Sequence, residues 1–208
     1  MFWLLSTKKR NTEQKKEIEP GTTKLVILKN KFLFLSLLLR HIGAAAVWTI
    51  LPIMIVEKWG GDLYHISVVY VANTLTAFIL MNIMASKIQL SNITKFKIGI
   101  GCTTFVFIGL SFVTEWWMAM PFMSLVGATW AFLFIGGNFH LMENNPRSTS
   151  TGIFSSTLSI ATVIGPVIAG TIAFMFDYVA VLYFAIVIIT CAFIVSLRIK
   201  NEKIKKLS

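Results

Sequence analysis

Arg40 and His41 stand side by side in the run FLFLSLLLRHIGAAAVWTILPIMIV, residues 32–56, where no other side chain carries charge. An arginine held within hydrocarbon costs about 2.5–3.5 kcal/mol even on the lenient insertion scale. Such a residue is expected to face a cavity or a partner. On a helix Arg40 shares a face with Gly43, Ala44 and Val47, and His41 shares one with Ala45, Trp48 and Pro52. The chemistry on offer is a fixed positive charge beside an imidazole that can titrate near neutrality. That pair could attract an anionic group, hold a gate or couple to protons. The competing reading is an arginine whose stem lies along the helix while its head reaches the nearer interface.

Other polar and aromatic residues sit in apolar runs. Asn73 and Thr76 are three apart, with Thr74 between them. Trp130, Phe134 and Asn138 are spaced by four on a face with Gly127 and Gly137, which makes an aromatic platform with an amide beside it. Polar contact between helices explains these residues equally well. His140, just before Glu143, reads as interfacial or as part of a gate. Ser155, Ser159, Thr162 and Pro166 form a polar face that favours helix packing over a binding role.

No acidic residue lies deep in any apolar run, so a carboxylate proton relay is not encoded here. His41, His65 and His140 fall at different depths and do not converge with an acid, which argues against an intramembrane enzyme. No glycine-rich phosphate loop points to nucleotide-driven work. Cys102 and Cys191 lie in separate runs with neither CxxC spacing nor a paired histidine. No metal or other cofactor is expected.

Six apolar segments must position these residues: 32–56, 64–86, 97–114, 117–141, 153–175 and 178–197. Each is long enough to cross about 30 Å of hydrocarbon. Hydrophobic residues make up 56% of the chain and charged ones 13%, about half the share of a typical soluble domain. The alternation of a membrane β-barrel is absent, so an all-α membrane protein with six transmembrane helices is expected. Residues 6–30 read as a solvated loop or a short surface helix, broken at Pro20-Gly21.

Charge sets the expected topology. With the N-terminal segment in the cytoplasm, all but two of the 19 basic residues fall on that side. The exceptions are Lys58, in an outer loop, and Arg40, inside a span. This positive-inside bias places both termini in the cytoplasm. It also accounts for the net charge of +10 through anionic headgroups, without nucleic acid. Trp59, Trp116 and Trp117 fall at the outer interface, where aromatic belts sit.

The fifth segment carries the most specific pattern. In the stretch from Asn144 to Gly170, small residues recur at Gly152, Ala161, Gly165, Ala169 and Gly170, with Pro166 after Gly165. Ala161, Gly165 and Ala169 are four apart and line one stripe, as helices do where backbones approach closely in lipid. Pro166 removes a backbone hydrogen bond, and Thr162 is placed to cover the freed group.

This spacing resembles the antiporter signature of the major facilitator superfamily, with alanine in place of two glycines. In that family the signature belongs to helix five, and helix eleven often carries a related Gly-Pro. A span preceded by four others and followed by one resembles helix eleven. The loop between the second and third segments is similar, more weakly, to the family's inner loop: Ala85 and Lys87 match in type, while Asn82 and Ser86 replace its glycine and aspartate. Lys87 and Arg147 would then be cytoplasmic gate residues. The opening MFWLL resembles the end of a preceding helix.

The resemblance implies a major-facilitator-type half bundle, the C-terminal six helices of a permease. Residues 1–30 correspond to the central cytoplasmic loop, with 1–5 ending the helix before it. Residues 31–198 form the bundle and 199–208 a basic cytoplasmic tail. The implied function is secondary active transport of a small solute by alternating access, in the manner of a drug or metabolite antiporter. The alternative is a truncated or non-transporting membrane fragment or scaffold. Arg40, His41, Trp48, Asn73, Thr76, Trp130 and Asn138 are the substrate or coupling candidates. Gly152, Ala161, Gly165, Pro166, Ala169 and Gly170 form the packing motif. The expected partners are the lipid bilayer, an N-terminal six-helix half or a second copy of the chain, and a small-molecule substrate. The expected location is the cell membrane, with multiple passes.

Overall fold

The computed structural model describes residues 22–86 and 88–199, apart from the side chains of residues 22, 84–86 and 144. A short helix α1 (Thr22–Lys29) leads into α2 (Lys31–Glu57), α3 (Leu63–Ser86) and α4 (Asn92–Leu110). A 3-10 turn (Trp116–Met118) opens α5 (Ala119–Asn144), followed by α6 (Arg147–Met175) and α7 (Tyr178–Leu197). The six helices α2 to α7 are long and apolar enough to cross a membrane, and the chain is a multi-pass membrane protein.

Two helices begin earlier than hydropathy alone indicates. Helix α4 starts at Asn92, where Ser91 accepts a hydrogen bond from the backbone of Thr94 and caps the first turn. Helix α6 starts at Arg147, directly after Pro146, so its first turn is polar. Both extend beyond their apolar part. Pro20-Gly21 precedes the described residues, and the segment after it is helical, seating Val26 at 2% exposure.

The helices pack in a repeating scheme. Helix α2 lies along α6 and α7, α5 lies along α3 and α4, and α4 also meets α7. Advancing every helix by three spans reproduces these pairs: α2–α6 becomes α5–α3, α2–α7 becomes α5–α4, and α4–α7 maps onto itself. The sequence carries no visible repeat, so this relation lives in packing alone. The least buried of the six are α3 and α6, which occupy equivalent places in the scheme.

One glycine lets the backbones close up in each of two equivalent pairs. A Cβ at Gly165 would sit 2.6 Å from Ala45 Cβ and 2.8 Å from the Ile42 carbonyl, so α6 lies directly on α2. A Cβ at Gly127 would run into the backbone of Asn73 and Ala77, so α5 lies as close on α3. Ala161 and Ala169 are fully buried with Gly165, and the four-residue stripe is the contact surface. Gly152 and Gly170 do not belong to it: nothing lies within 4 Å of a Cβ at either. The Thr162 hydroxyl bonds the Leu158 carbonyl at 2.9 Å and is not the cover expected at Pro166. A Ser or Thr in a helix reaches back to its own preceding turn, and Thr162 does so here.

At one end of the bundle the Lys58 ammonium pairs with Asp177, joining the α2–α3 loop to the start of α7. There Trp116 donates its backbone N–H to Trp59 O at 3.0 Å and stacks on His65 at 3.9 Å between ring centroids. Trp117 is exposed, as a belt residue would be, but Trp59 is buried at 3% exposure and packs inward. At the other end Lys97 Nζ donates to the Ile199 carbonyl at 2.9 Å.

Candidate functional site

Helix α2 presents Arg40 and His41, neighbours in sequence, and Trp48, two turns beyond His41, to one cavity. Asn73 from α3, and Val126 and Trp130 from α5, complete the lining of a cavity of about 130 Å³. That is room for about four waters or one small polar group with part of its body. Five of the seven sequence candidates meet here: Arg40, His41, Trp48, Asn73 and Trp130.

Arg40 is held from two sides. Its Nη2 donates to Thr103 Oγ1 on α4 at 3.3 Å, and that hydroxyl donates to the Gly99 carbonyl at 2.6 Å. The guanidinium carbon lies 5.4 Å from the Trp130 ring centroid, within cation–π range. The residue is 2% exposed, so it does not reach an interface as a snorkelling arginine would. Its Nε is buried without a hydrogen-bond partner, and so is Nδ1 of His41. Among the described residues Arg40 has no carboxylate partner.

The walls are aromatic. The His41 and Trp130 rings are 5.4 Å apart, and Trp130 continues to Phe134 at 5.5 Å and Phe154 at 5.7 Å. Trp48 packs on Tyr70 at 4.7 Å, whose hydroxyl donates to the Trp48 carbonyl at 3.1 Å. Asn73 Nδ2 donates to the Met123 carbonyl at 3.1 Å and ties α3 to α5.

Two candidates lie elsewhere. Thr76 bonds the Ala72 carbonyl at 2.9 Å and faces a shallow, mostly apolar groove between α3 and α5. Asn138 is buried two turns beyond Trp130, where Nδ2 donates to the Phe134 carbonyl at 3.2 Å. Each lies on the expected helix but outside the cavity. His140 borders a separate groove at the end of the bundle, with Asn30, Phe32 and Arg198. Of the two gate candidates, Arg147 borders a surface groove with Phe139, Met142 and Glu143, and Lys87 lies outside the described residues.

Thr103 is the residue that reading the sequence missed. It is a full helix away from the other candidates, and a threonine in an apolar run ordinarily serves its own helix. The available signal was Gly99, four residues earlier. A Cβ there would lie 2.6 Å from the Leu133 backbone nitrogen, so α4 and α5 touch at this level.

The arrangement suits binding and orientation. A fixed positive charge, an imidazole and aromatic faces surround a small space, and among the described residues no three His, Cys, Asp or Glu side chains gather. No protein-family model matches the chain, and no curated protein matches it.

Proposed function

We propose that this chain is the six-helix half of a secondary transporter of the major facilitator type, moving a small solute by alternating access. The observation that carries the reading is the three-span repeat in helix pairing, with the polar cavity set among α2, α3 and α5. A nested three-plus-three repeat is how each half of such transporters is built. The least buried helices, α3 and α6, would face a second six-helix unit, either an N-terminal half or another copy. The basic residues then mark the cytoplasmic side of the cell membrane, with both termini there. Rocking of the two units would open the cavity to one side and then the other.

The test needs no knowledge of the solute. Val126→Cys is placed in a background with Cys102→Ser and Cys191→Ser. Sealed membranes of either orientation are then treated with an impermeant thiol reagent. Alternating access predicts labelling from both sides. A cavity reached from only one side, or from neither, would end the transport reading.

A further inference from the structure

We infer that the cavity takes the carboxylate of a small organic monoanion, with Arg40 as the recognising cation and Trp130, His41 and Trp48 enclosing a flat apolar body. The inference rests on the transport reading only for the route by which that ligand enters and leaves.

Arg40 is an uncompensated buried charge: it is 2% exposed, yet among the described residues no carboxylate answers it. Buried cations are ordinarily paired. The partners present are one neutral hydroxyl, Thr103, and the face of Trp130. Neither cancels a charge, and Nε is left with no acceptor. A guanidinium is a planar donor fork that fits a carboxylate with two parallel hydrogen bonds. An anion arriving in the cavity would complete this side chain.

Charge counting narrows the class. Among the described residues Arg40 is the one fixed cation lining the cavity. A monoanion neutralises it, whereas a dianionic phosphate or sulfate would leave one negative charge unmatched. Volume and lining narrow it further. About 130 Å³ bounded by two indoles and an imidazole accepts a planar or short apolar group, with no room for an extended polar one. His41 Nδ1, also buried without a partner, is a second polar group beside the cavity.

Calorimetric titration of the purified full chain in mild detergent tests this. The probes are benzoate and acetate, their neutral isosteres benzamide and acetamide, and inorganic phosphate. The expected result is benzoate binding at least tenfold tighter than benzamide, with phosphate weaker than either carboxylate. Arg40→Gln removes the benzoate preference, and Arg40→Lys, which keeps charge but not the fork, retains only part of it. The wild-type ratio stands by itself should a variant fail to fold. Equal affinity for benzoate and benzamide, a preference for phosphate, or full benzoate affinity in Arg40→Gln would each overturn the inference. Two-sided labelling without carboxylate preference removes the anion and leaves the transporter. Carboxylate preference with one-sided labelling removes the transporter and leaves the anion site.

Discussion

Replacing Gly165 with alanine should separate α2 from α6, and the size of the effect follows from three distances. The new Cβ would sit 2.6 Å from Ala45 Cβ, 2.8 Å from the Ile42 carbonyl oxygen and 3.0 Å from the Ala46 nitrogen. Carbon atoms in contact prefer about 3.5–4.0 Å, so the shortfall is about 1 Å. Two of the three neighbours are backbone of α2 and cannot rotate away. Over-packing of this kind costs about 1–3 kcal/mol. Alanine recovers up to about 1 kcal/mol through helix propensity. The net expectation is a loss of about 1–2 kcal/mol. Gly170→Ala on the same helix is the control, because nothing lies within 4 Å of its Cβ. It should be neutral or gain up to about 1 kcal/mol. Reversible unfolding in mixed micelles of rising dodecyl sulfate content compares the two. Equal stability of the two variants would refute the close approach at Gly165, and with it the α2–α6 contact.

Thr103→Val removes the hydrogen bond to Arg40 and leaves a buried donor bare, which should cost about 1–3 kcal/mol in the same unfolding assay, while Thr103→Ser costs little. Asn73→Leu breaks the tie between α3 and the Met123 carbonyl and should cost about 0.6–1.7 kcal/mol, measured the same way. The Lys58–Asp177 pair makes the stability of the protein pH-dependent. Hydrogen bonding from Lys58, then from the Tyr178 backbone, holds the Asp177 carboxyl below its ordinary value. A depressed carboxyl contributes fully above its unfolded value and loses that contribution as pH falls through its folded value. Wild-type unfolding temperature should therefore drop on acidification below the normal aspartate range, and Asp177→Asn should flatten that part of the profile. An unchanged acid limb in the variant would remove the pair from the account.

The six spans were legible because hydrocarbon imposes a long apolar run on any helix that crosses it. Their ends were less so. Residues 92–97 and 147–152 mix in charged or hydroxyl side chains yet are helical, so the helices run on where hydropathy falls away. The cavity was legible to the extent that its residues are costly in lipid or large. Arg40, His41, Trp48, Asn73 and Trp130 announced themselves as intramembrane polar or aromatic groups. What the spacing of three or four could not decide is which edge of a helix face turns inward. Asn73 and Thr76 share a face broadly defined, but Asn73 hydrogen-bonds Met123 across to α5 and Thr76 hydrogen-bonds its own helix. The same ambiguity carried Asn138 along with Trp130. Thr103 could not be found without knowing that α4 lies on α5 at Gly99 and that the Arg40 side chain reaches its hydroxyl. In the motif, residues four apart are buried together, whereas Gly152 and Gly170 fit the pattern and face open space.

A bound carboxylate should protect Val126→Cys from a thiol reagent if the cavity binds anions and opens to each side of the membrane in turn. The cysteine lines the same cavity as Arg40, so a ligand seated on the guanidinium shields it. The account predicts that an impermeant thiol reagent labels this position from both sides of the membrane, and that benzoate slows the reaction on both sides while benzamide does not. Labelling from one side alone, or a rate indifferent to benzoate, would contradict it.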